Sequence, residues 1–284
     1  MSPPRKPFVG QEPPKLTKVL MILPVVLYFT MLILLPLGGM FWGAFEKGWS
    51  AFIQEVLKPE ALNALKLTIL ITVIVTLINS VLGVILAIFL VRHSFPGKSL
   101  INGIIDLPFA VSPVIAGFML IVLYGPQGIF GLFLGKFDLK VVFALPGMII
   151  ATLFVTLPFV VREVSLVLQE QGTELEDAAK TLGAGEWTIF WKVTLPGISW
   201  GLLYGITLTV ARALGEFGAV LVVSGNIINS TQTATLHIYQ AYVDYNYLGA
   251  YAISAVLGII SIIILVGLEI VKKKKEGNVF EPSH

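Results

Sequence analysis

Cysteine is absent from this chain, and charged residues are scarce. The 284 residues include no cysteine, which excludes disulfides, thiolate metal sites and a cysteine nucleophile. Asp, Glu, Lys and Arg make up 13% of the chain and hydrophobic residues 56%, and the mean hydropathy is +0.88. Because about a quarter of the residues of a soluble domain are charged, this composition predicts a protein embedded in a lipid bilayer.

Motifs of enzymes, metal sites and nucleotide sites are missing as well. The three histidines, His93, His237 and His284, are scattered along the chain, and no His-Glu-x-x-His sequence occurs. Gly97-Lys98-Ser99 lacks the upstream glycine of a phosphate-binding loop. We therefore predict that this chain has no catalytic residue and binds no metal ion, cofactor or nucleic acid.

Six apolar stretches are long enough to cross a membrane as helices, which takes about 20 residues each. The third contains Asp106, Pro108 and Pro113, so we expect it to be kinked or broken. Of two roles for Asp106, capping a half-helix near Pro108 and repelling anions from a wrong exit, the first is favoured. The predicted spans are Val19–Phe45, Leu62–Val91, Leu100–Tyr124, Val141–Val161, Gly197–Val223 and Gly249–Val271.

Lysine and arginine are divided unevenly between the two sides of these spans, and the richer side is normally cytoplasmic. The stretches that adjoin both termini, and the one after the fourth span, carry most of them, whereas the loop 224–248 has none. We therefore expect both termini in the cytoplasm. The expected organisation is a disordered N-terminus at 1–18, a transmembrane domain at 19–271 and a cytoplasmic tail at 272–284.

A polar segment, Glu174–Pro196, interrupts the apolar sequence between the fourth and fifth spans. Thr173 and the acidic residues after it are typical of a helix N-terminus, where a side-chain oxygen caps free N–H groups and negative charge is favoured. The pattern predicts a short helix over 175–182. Gly183 and Gly185 then permit a sharp exit from that helix.

This segment resembles the EAA loop of ABC importer permeases. Asp177-Ala178-Ala179, Gly183 and Leu195-Pro196 follow one another at the spacing of that loop, with Asp177 in the place of its Glu and Val193 in the place of its Ile. Leu195-Pro196 is expected to begin the fifth span. The resemblance implies that the segment docks on an ATPase subunit. Its candidate docking residues are Glu176, Asp177, Ala178, Ala179 and Gly183.

Further stretches narrow this resemblance. Leu107–Gly125 and Ala211–Ile227 look like the permeases of sulfate and molybdate importers. The stretches VVSGNI, PFVVRE and DYNYLGAYAISAVL are similar to the W-type class of sulfate/thiosulfate permeases. The resemblance covers the chain from about Val19 to Val271. It implies an all-α, six-helix fold of the type I ABC importer permeases, placed in a bacterial inner membrane.

The resemblance also implies partners, which composition and spacing do not show. These are a T-type sister permease subunit, two ATPase subunits that carry ATP and Mg²⁺, and an extracytoplasmic sulfate-binding protein. Sulfate or thiosulfate is the expected substrate, and membrane lipid surrounds the chain. Import of molybdate or tungstate is one alternative. An ion-coupled secondary transporter is another, but it would need carboxylates near the membrane midplane and often an inverted repeat, neither of which is clear here.

Charges, glycines and a proline in the third and fifth spans mark a candidate translocation path. Arg212 and Glu216 are four residues apart and so share a helix face. Charge within a membrane faces protein or water, so two interpretations stay open: Arg212 eases the passage of an anion, or the pair joins its helix to a neighbour. A helix loosened by glycine would also expose N–H groups to an oxyanion. The candidate path residues are Ser112, Pro113, Arg212, Gly215, Glu216 and Gly218.

Overall fold

The structure is a computed structural model that describes residues 15–137 and 139–280. Within these residues every regular element is helical. Two short π-helical segments, Thr30–Leu34 and Phe190–Thr194, join α1 to α2 and α10 to α11. The helices are α1 (Lys15–Phe29), α2 (Leu35–Phe45), α3 (Trp49–Val56), α4 (Pro59–Arg92), α5 (Lys98–Ala110), α6 (Pro113–Tyr124), α7 (Ile129–Gly135), α8 (Leu145–Gln171), α9 (Glu174–Thr181), α10 (Glu186–Ile189), α11 (Leu195–Gly197), α12 (Ser199–Leu214), α13 (Gly218–Ser224), α14 (Ala234–Val243) and α15 (Tyr247–Phe280).

Four helical stretches of the described chain are long and apolar enough to span a membrane. Two bent pairs of helices bring the number to as many as six if each pair counts as one span. The six-span expectation is thus met by four continuous spans and two broken ones. The four continuous stretches are Leu20–Phe45, Pro59–Arg92, Leu145–Gln171 and Tyr247–Lys272.

The third predicted span is broken, as its prolines indicate. Helices α5 and α6 meet at an angle of 117°. The break lies at Val111 and Ser112, because both have extended backbones and Pro113 occupies the first turn of α6, where its missing N–H costs nothing. Pro108, by contrast, lies inside α5. The half-helix junction expected near Pro108 is therefore wrong by about one helical turn.

The fourth span is longer than its apolar run. The apolar run predicted as the fourth span ends at Val161, but the helix that contains it, α8, continues to Gln171. The charges of Arg162 and Glu163 lower the hydropathy at this point, but both residues are good helix formers, so the helix continues through them. Arg162 consequently lies well inside a spanning helix, where it needs a partner.

The fifth span is also more complex than a single helix from Gly197 to Val223. A helical stretch from Glu186 to Gly197 precedes α12 and meets it at 65°. Pro196 therefore lies near the end of this preceding helical stretch and does not begin the span. The wider π-helical turn comes just before Pro196, which lacks an N–H donor. After Leu214 the helix stops, and α13 begins at Gly218.

The core of the bundle is formed by α4, α8 and α12. Small residues allow close approach of these helices. A Cβ added at Gly205 would lie 2.9 Å from Val160 Cα, and one added at Gly201 would lie 2.8 Å from the carbonyl oxygen of Glu163. Two apolar clusters pack against α4 and α8. One, around Val75, Met148 and Val220, joins them to α13, and the other lies around Val84, Val164 and Leu168.

The two ends of the bundle carry different elements. We call one the α9 end, where α4 and α8 finish and the short helix α9 begins. The other is the α14 end, where α3 and α14 lie beside the start of α15. There Glu55 accepts hydrogen bonds from Lys58 at 2.7 Å and Asn246 at 3.0 Å.

Candidate functional site

Helix α9 ends in a glycine cap. The N–H of Gly183 donates to the carbonyl of Lys180 at 2.9 Å, and the N–H of Ala184 donates to that of Ala179 at 3.0 Å. This pair of bonds is the Schellman arrangement, which needs a left-handed residue after the helix. Gly183 has φ +83°, so the sharp exit expected there is confirmed. Gly185 has φ −72°, a conformation that any residue adopts.

Helix α9 presents an exposed surface of mixed character. No residue of α9 is buried. Asp177 and Ala178 are exposed, and Ala179 is half-buried. Beside them, Leu182 is 88% exposed and Trp187 is 74% exposed. Exposed apolar side chains with an adjacent carboxylate form the kind of patch that a partner protein covers.

The start of α9 differs from its predicted cap. Thr173 occupies the N-cap position but makes no capping hydrogen bond. Glu176 turns away from the helix N-terminus instead: its Oε1 accepts from Arg92 Nη2 at 3.1 Å and from Thr194 Oγ1 at 2.9 Å. Because its side chain is only 16% exposed, Glu176 lies behind the α9 surface, whereas Asp177 lies on it.

The breaks in the third and fifth spans meet in space. Gly218, the first residue of α13, lies against the start of α6, where a Cβ added at Gly218 would be 3.1 Å from Pro113 Cβ and 3.2 Å from Val114 Cγ2. Ser112 and Gly215 are both exposed beside this junction. The structure therefore brings together the two groups of predicted path residues.

The Arg212–Glu216 pair forms across a helix end. Arg212 Nη1 lies 2.8 Å from Glu216 Oε2. Glu216 stands beyond Leu214, where α12 ends, so the expected shared face of one continuous helix is wrong although the contact is present. The other carboxylate oxygen of Glu216 accepts the N–H of Ala219 at 2.9 Å, which stabilises the start of α13.

Burial separates the two members of this pair. The side chain of Glu216 is 2% exposed and that of Arg212 is 33% exposed. Thr235 of α14 also donates to the Glu216 carbonyl at 2.7 Å. Glu216 is thus held inside the protein by contacts with α12, α13 and α14, while the side chain of Arg212 stays partly exposed.

Asp106 has a role that the sequence did not reveal. Arg162 Nε and Nη2 donate to its two carboxylate oxygens at 2.8 and 2.6 Å. Arg162 also donates to the side chain and the carbonyl of Asn102. The capping role expected for Asp106 is therefore replaced by a two-pronged ion pair that joins α5 to α8.

A polar cluster at the α14 end was not predicted either, because its members are distant in sequence. His237 Nδ1 lies 3.1 Å from Gln232 Oε1. Burial lowers the pKa of His237, outweighing the nearby carboxylate of Glu60. Burial alone would raise the pKa of Glu55, but the hydrogen bonds from Lys58 and Asn246 outweigh it and hold that pKa below its usual value.

No group of three or more His, Asp or Glu side chains in the described ranges 15–137 and 139–280 could hold a metal ion. His93 lies beside Arg92 at the α9 end, whereas His237 lies at the α14 end. His284 lies outside these ranges, as does most of the expected N-terminal segment 1–18.

These features define a polytopic, helical membrane protein. A family model described as "Binding-protein-dependent transport system inner membrane component" matches residues 79–274. The chain belongs to this family.

Relatives and a solved structure agree with this assignment. The "Sulfate transport system permease protein CysW" of Synechocystis is 46% identical over 90% of this chain and 93% of its own. The "Sulfate transport system permease protein CysT" of Escherichia coli K12 is 36% identical over 88% and 90%. A bacterial alginate ABC transporter, solved with an alginate pentasaccharide-bound periplasmic protein, matches 95% of this chain and 96% of its own with TM-score 0.75 and 17% identity. The expected ABC importer permease fold is confirmed.

Proposed function

We propose that this chain is a permease subunit of an ATP-driven importer of sulfate or thiosulfate, and that it forms half of the translocation path. The observation that carries the proposal is the 46% identity, over nine-tenths of both chains, to a protein named as a sulfate transport permease. Similarity to a second, T-type sulfate permease supports a complex in which a sister subunit supplies the other half. The periplasmic protein of the alginate transporter supports an extracytoplasmic binding protein as a further partner.

The α9 end faces the cytoplasm in this proposal, with both termini on the same side. Support comes from positive charge, since Arg92, Lys98, Lys180 and Lys192 all lie at or next to this end, and cytoplasmic loops are rich in such residues. The membrane is then the bacterial cytoplasmic membrane. ATP and Mg²⁺ would be bound by two ATPase subunits on that side.

The surface of α9 is the proposed docking site for one ATPase subunit. Asp177, Ala178 and Ala179 would contact the partner directly, because two small side chains permit close approach beside a single carboxylate. Gly183 would shape the exit from α9 so that Leu182 remains at the surface. Glu176 would act from behind this surface, since it is turned toward the bundle.

The junction of the two helix breaks is the proposed translocation surface. Ser112, Arg212 and Gly215 would face the anion, while Pro113 and Gly218 keep the two breaks in contact. The charge of Glu216 would oppose a nearby anion, but this carboxylate is buried, forms an ion pair with Arg212 and accepts a hydrogen bond from the N–H of Ala219. The partly exposed side chain of Arg212 would then be the attractive group.

Reconstitution of the whole complex tests the proposed function. The chain, its sister subunit, the ATPase and the cognate binding protein would be placed in proteoliposomes, and uptake of radiolabelled sulfate would be measured with and without ATP inside. We expect ATP-dependent uptake that thiosulfate inhibits. Uptake of molybdate in preference to sulfate, or uptake driven by an ion gradient without ATP, would contradict the proposal.

A double substitution tests the role of Arg212. Arg212→Gln with Glu216→Gln removes both charges at similar volume and avoids leaving a buried, unpaired carboxylate. If Arg212 attracts the anion, sulfate uptake should fall about tenfold or more, the order expected when a charged group that contacts the ligand is lost, while the complex still assembles. Wild-type uptake by the assembled double variant would assign the pair a purely structural role.

A further inference from the structure

We infer that Arg92 is a positioning residue that transmits the movement of α9 to the spanning helix α4, through its ion pair with Glu176. This inference rests on the proposed function, in which α9 docks on an ATPase subunit. It concerns a different step, however: how a docked helix of eight residues moves the bundle behind it.

Helix α9 has little apolar attachment to the rest of the protein. None of its residues is buried, and its large apolar side chain Leu175 is 67% exposed. A helix of this length is not stable by itself in water. Its position therefore depends on the chain at its two ends and on polar contacts with its neighbours.

Glu176 supplies that polar contact. Among the described residues, it is the side chain of α9 whose hydrogen bonds reach a spanning helix. A single carboxylate oxygen of Glu176 accepts from Arg92 at 3.1 Å and from Thr194 at 2.9 Å. Thr194 ends the π turn that leads into α12, so Glu176 connects α9 with the entry to the fifth span as well as with α4.

Arg92 extends this connection to a third element. It is the last residue of α4, and its Nη1 donates to the carbonyl of Leu168 in α8 at 3.3 Å. Leu168 is fully buried in the cluster that joins α4 to α8. The guanidinium thus bridges the ends of two core helices to α9, and a displacement of Glu176 would act on both.

The environment of this pair sets it apart from the other ion pair of α9. The side chains of Arg92 and Glu176 are 14% and 16% exposed, whereas those of Lys180 and Glu186 are 49% and 83% exposed. Solvent screens the second pair, and exposed pairs contribute little. The Arg92–Glu176 pair is shielded enough to transmit force, while a cavity of about 390 Å³ beside it leaves α9 next to open space rather than apolar packing.

The test measures sulfate transported per ATP hydrolysed by the complete complex in proteoliposomes. Arg92→Gln and Glu176→Gln remove one charge each at similar volume. We expect each to lower that ratio by about fivefold or more, the range of ordinary coupling between sites, while the ATPase subunits still co-purify. The double variant should be no worse than either single variant, because both remove the same contact.

Two further variants make the test more specific. Arg92→Lys keeps a cation beside Glu176 and should retain most of the ratio of sulfate transported to ATP hydrolysed. It can still be measured if Arg92→Gln fails to insert into the membrane, and Glu176→Gln then tests loss of the pair. Glu186→Gln is the matched control, since it breaks the exposed pair with Lys180 from outside α9, and it should leave the ratio unchanged. An unchanged ratio in assembled Arg92→Gln would overturn the inference, and so would loss of the ATPase from that variant, which would assign Arg92 to docking alone. Failure of the wild-type chain to bind any ATPase would instead refute the proposed function.

Discussion

The two ends of the bundle attach their short helices in opposite ways. At the α14 end, Ala234, Leu236 and Ala241 of α14 are buried, and the N–H of Ala234 donates to Thr68 of α4 at 2.8 Å. At the α9 end, no residue of α9 is buried. A helix held by apolar packing moves only with its core, because cores are close-packed and resist deformation. A helix held by a few polar contacts can shift as a unit, which suits a part that receives movement from a partner.

The largest expected difference between the ends is in stability. Leu236 is fully buried in the cluster around Val75 and Met148, so Leu236→Ala should reduce the free energy of unfolding by about 2–5 kcal/mol. Leu182 is 88% exposed next to α9, and Leu182→Ala should change it by less than about 0.5 kcal/mol. Thermal unfolding of the two purified variants in detergent checks this, and equal losses would remove the contrast between the ends.

A second prediction concerns the glycine cap of α9. Gly183 has φ +83°, a conformation that costs a residue with a Cβ about 1–2 kcal/mol. Gly183→Leu should therefore distort the exit from α9 and weaken co-purification of the ATPase, with membrane insertion intact. Gly185→Leu is the matched control, since Gly185 has an ordinary φ and open space around it. Equal binding by the two variants would show that the cap does not shape the docking surface.

Hydrogen exchange compares the ends without any substitution. The backbone amides of α9 should exchange much faster than those of α14, because local opening is easiest where few apolar contacts must break. Peptides that cover 174–182 and 234–243 would be followed by mass spectrometry in the isolated subunit. Addition of the ATPase should slow exchange in the first peptide only. Similar protection of both peptides in the isolated subunit would contradict the proposed difference in attachment.

The smallest expected effect is a pH dependence of the stability of the folded protein, caused by groups at the α14 end. The folded-state pKa of His237 is lowered from about 6.5, so the folded protein binds fewer protons than the unfolded chain below that pH. Stability from this group is therefore complete above pH 6.5 and is lost as the pH falls toward the folded-state pKa. The pKa of Glu55 is also lowered by folding, so its contribution to stability is likewise lost as the pH falls, but below about pH 4.5.

His237→Gln checks whether His237 causes this pH dependence of stability. The variant should unfold with less dependence on pH between 7 and 5.5 than the wild-type chain. An unchanged slope would assign the dependence to other groups, among which Glu55, Lys58 and Glu60 face the same cluster.

Local physical chemistry in the sequence determined much of this protein. Long apolar runs give spanning helices wherever the chain meets a bilayer, Pro113 breaks the third span because it cannot donate a hydrogen bond, and Gly183 ends α9 because only a residue tolerant of positive φ fits there. Each of these effects depends on neighbours a few residues away, and so each was predicted, although the break in the third span was expected near Pro108 and lies before Pro113.

Only the tertiary structure decided which charges pair. Arg162 pairs with Asp106, 56 residues away in the sequence, and Arg92 pairs with Glu176, 84 residues away. No local pattern in the sequence indicates either pair. The same packing buried Glu216 while leaving Arg212 partly open. Burial and distance between remote side chains follow from how helices cross, and the crossing is set by close contacts such as that of Gly205 with Val160. For that reason candidate site residues could be proposed from the sequence, but their burial and contacts depended on the fold.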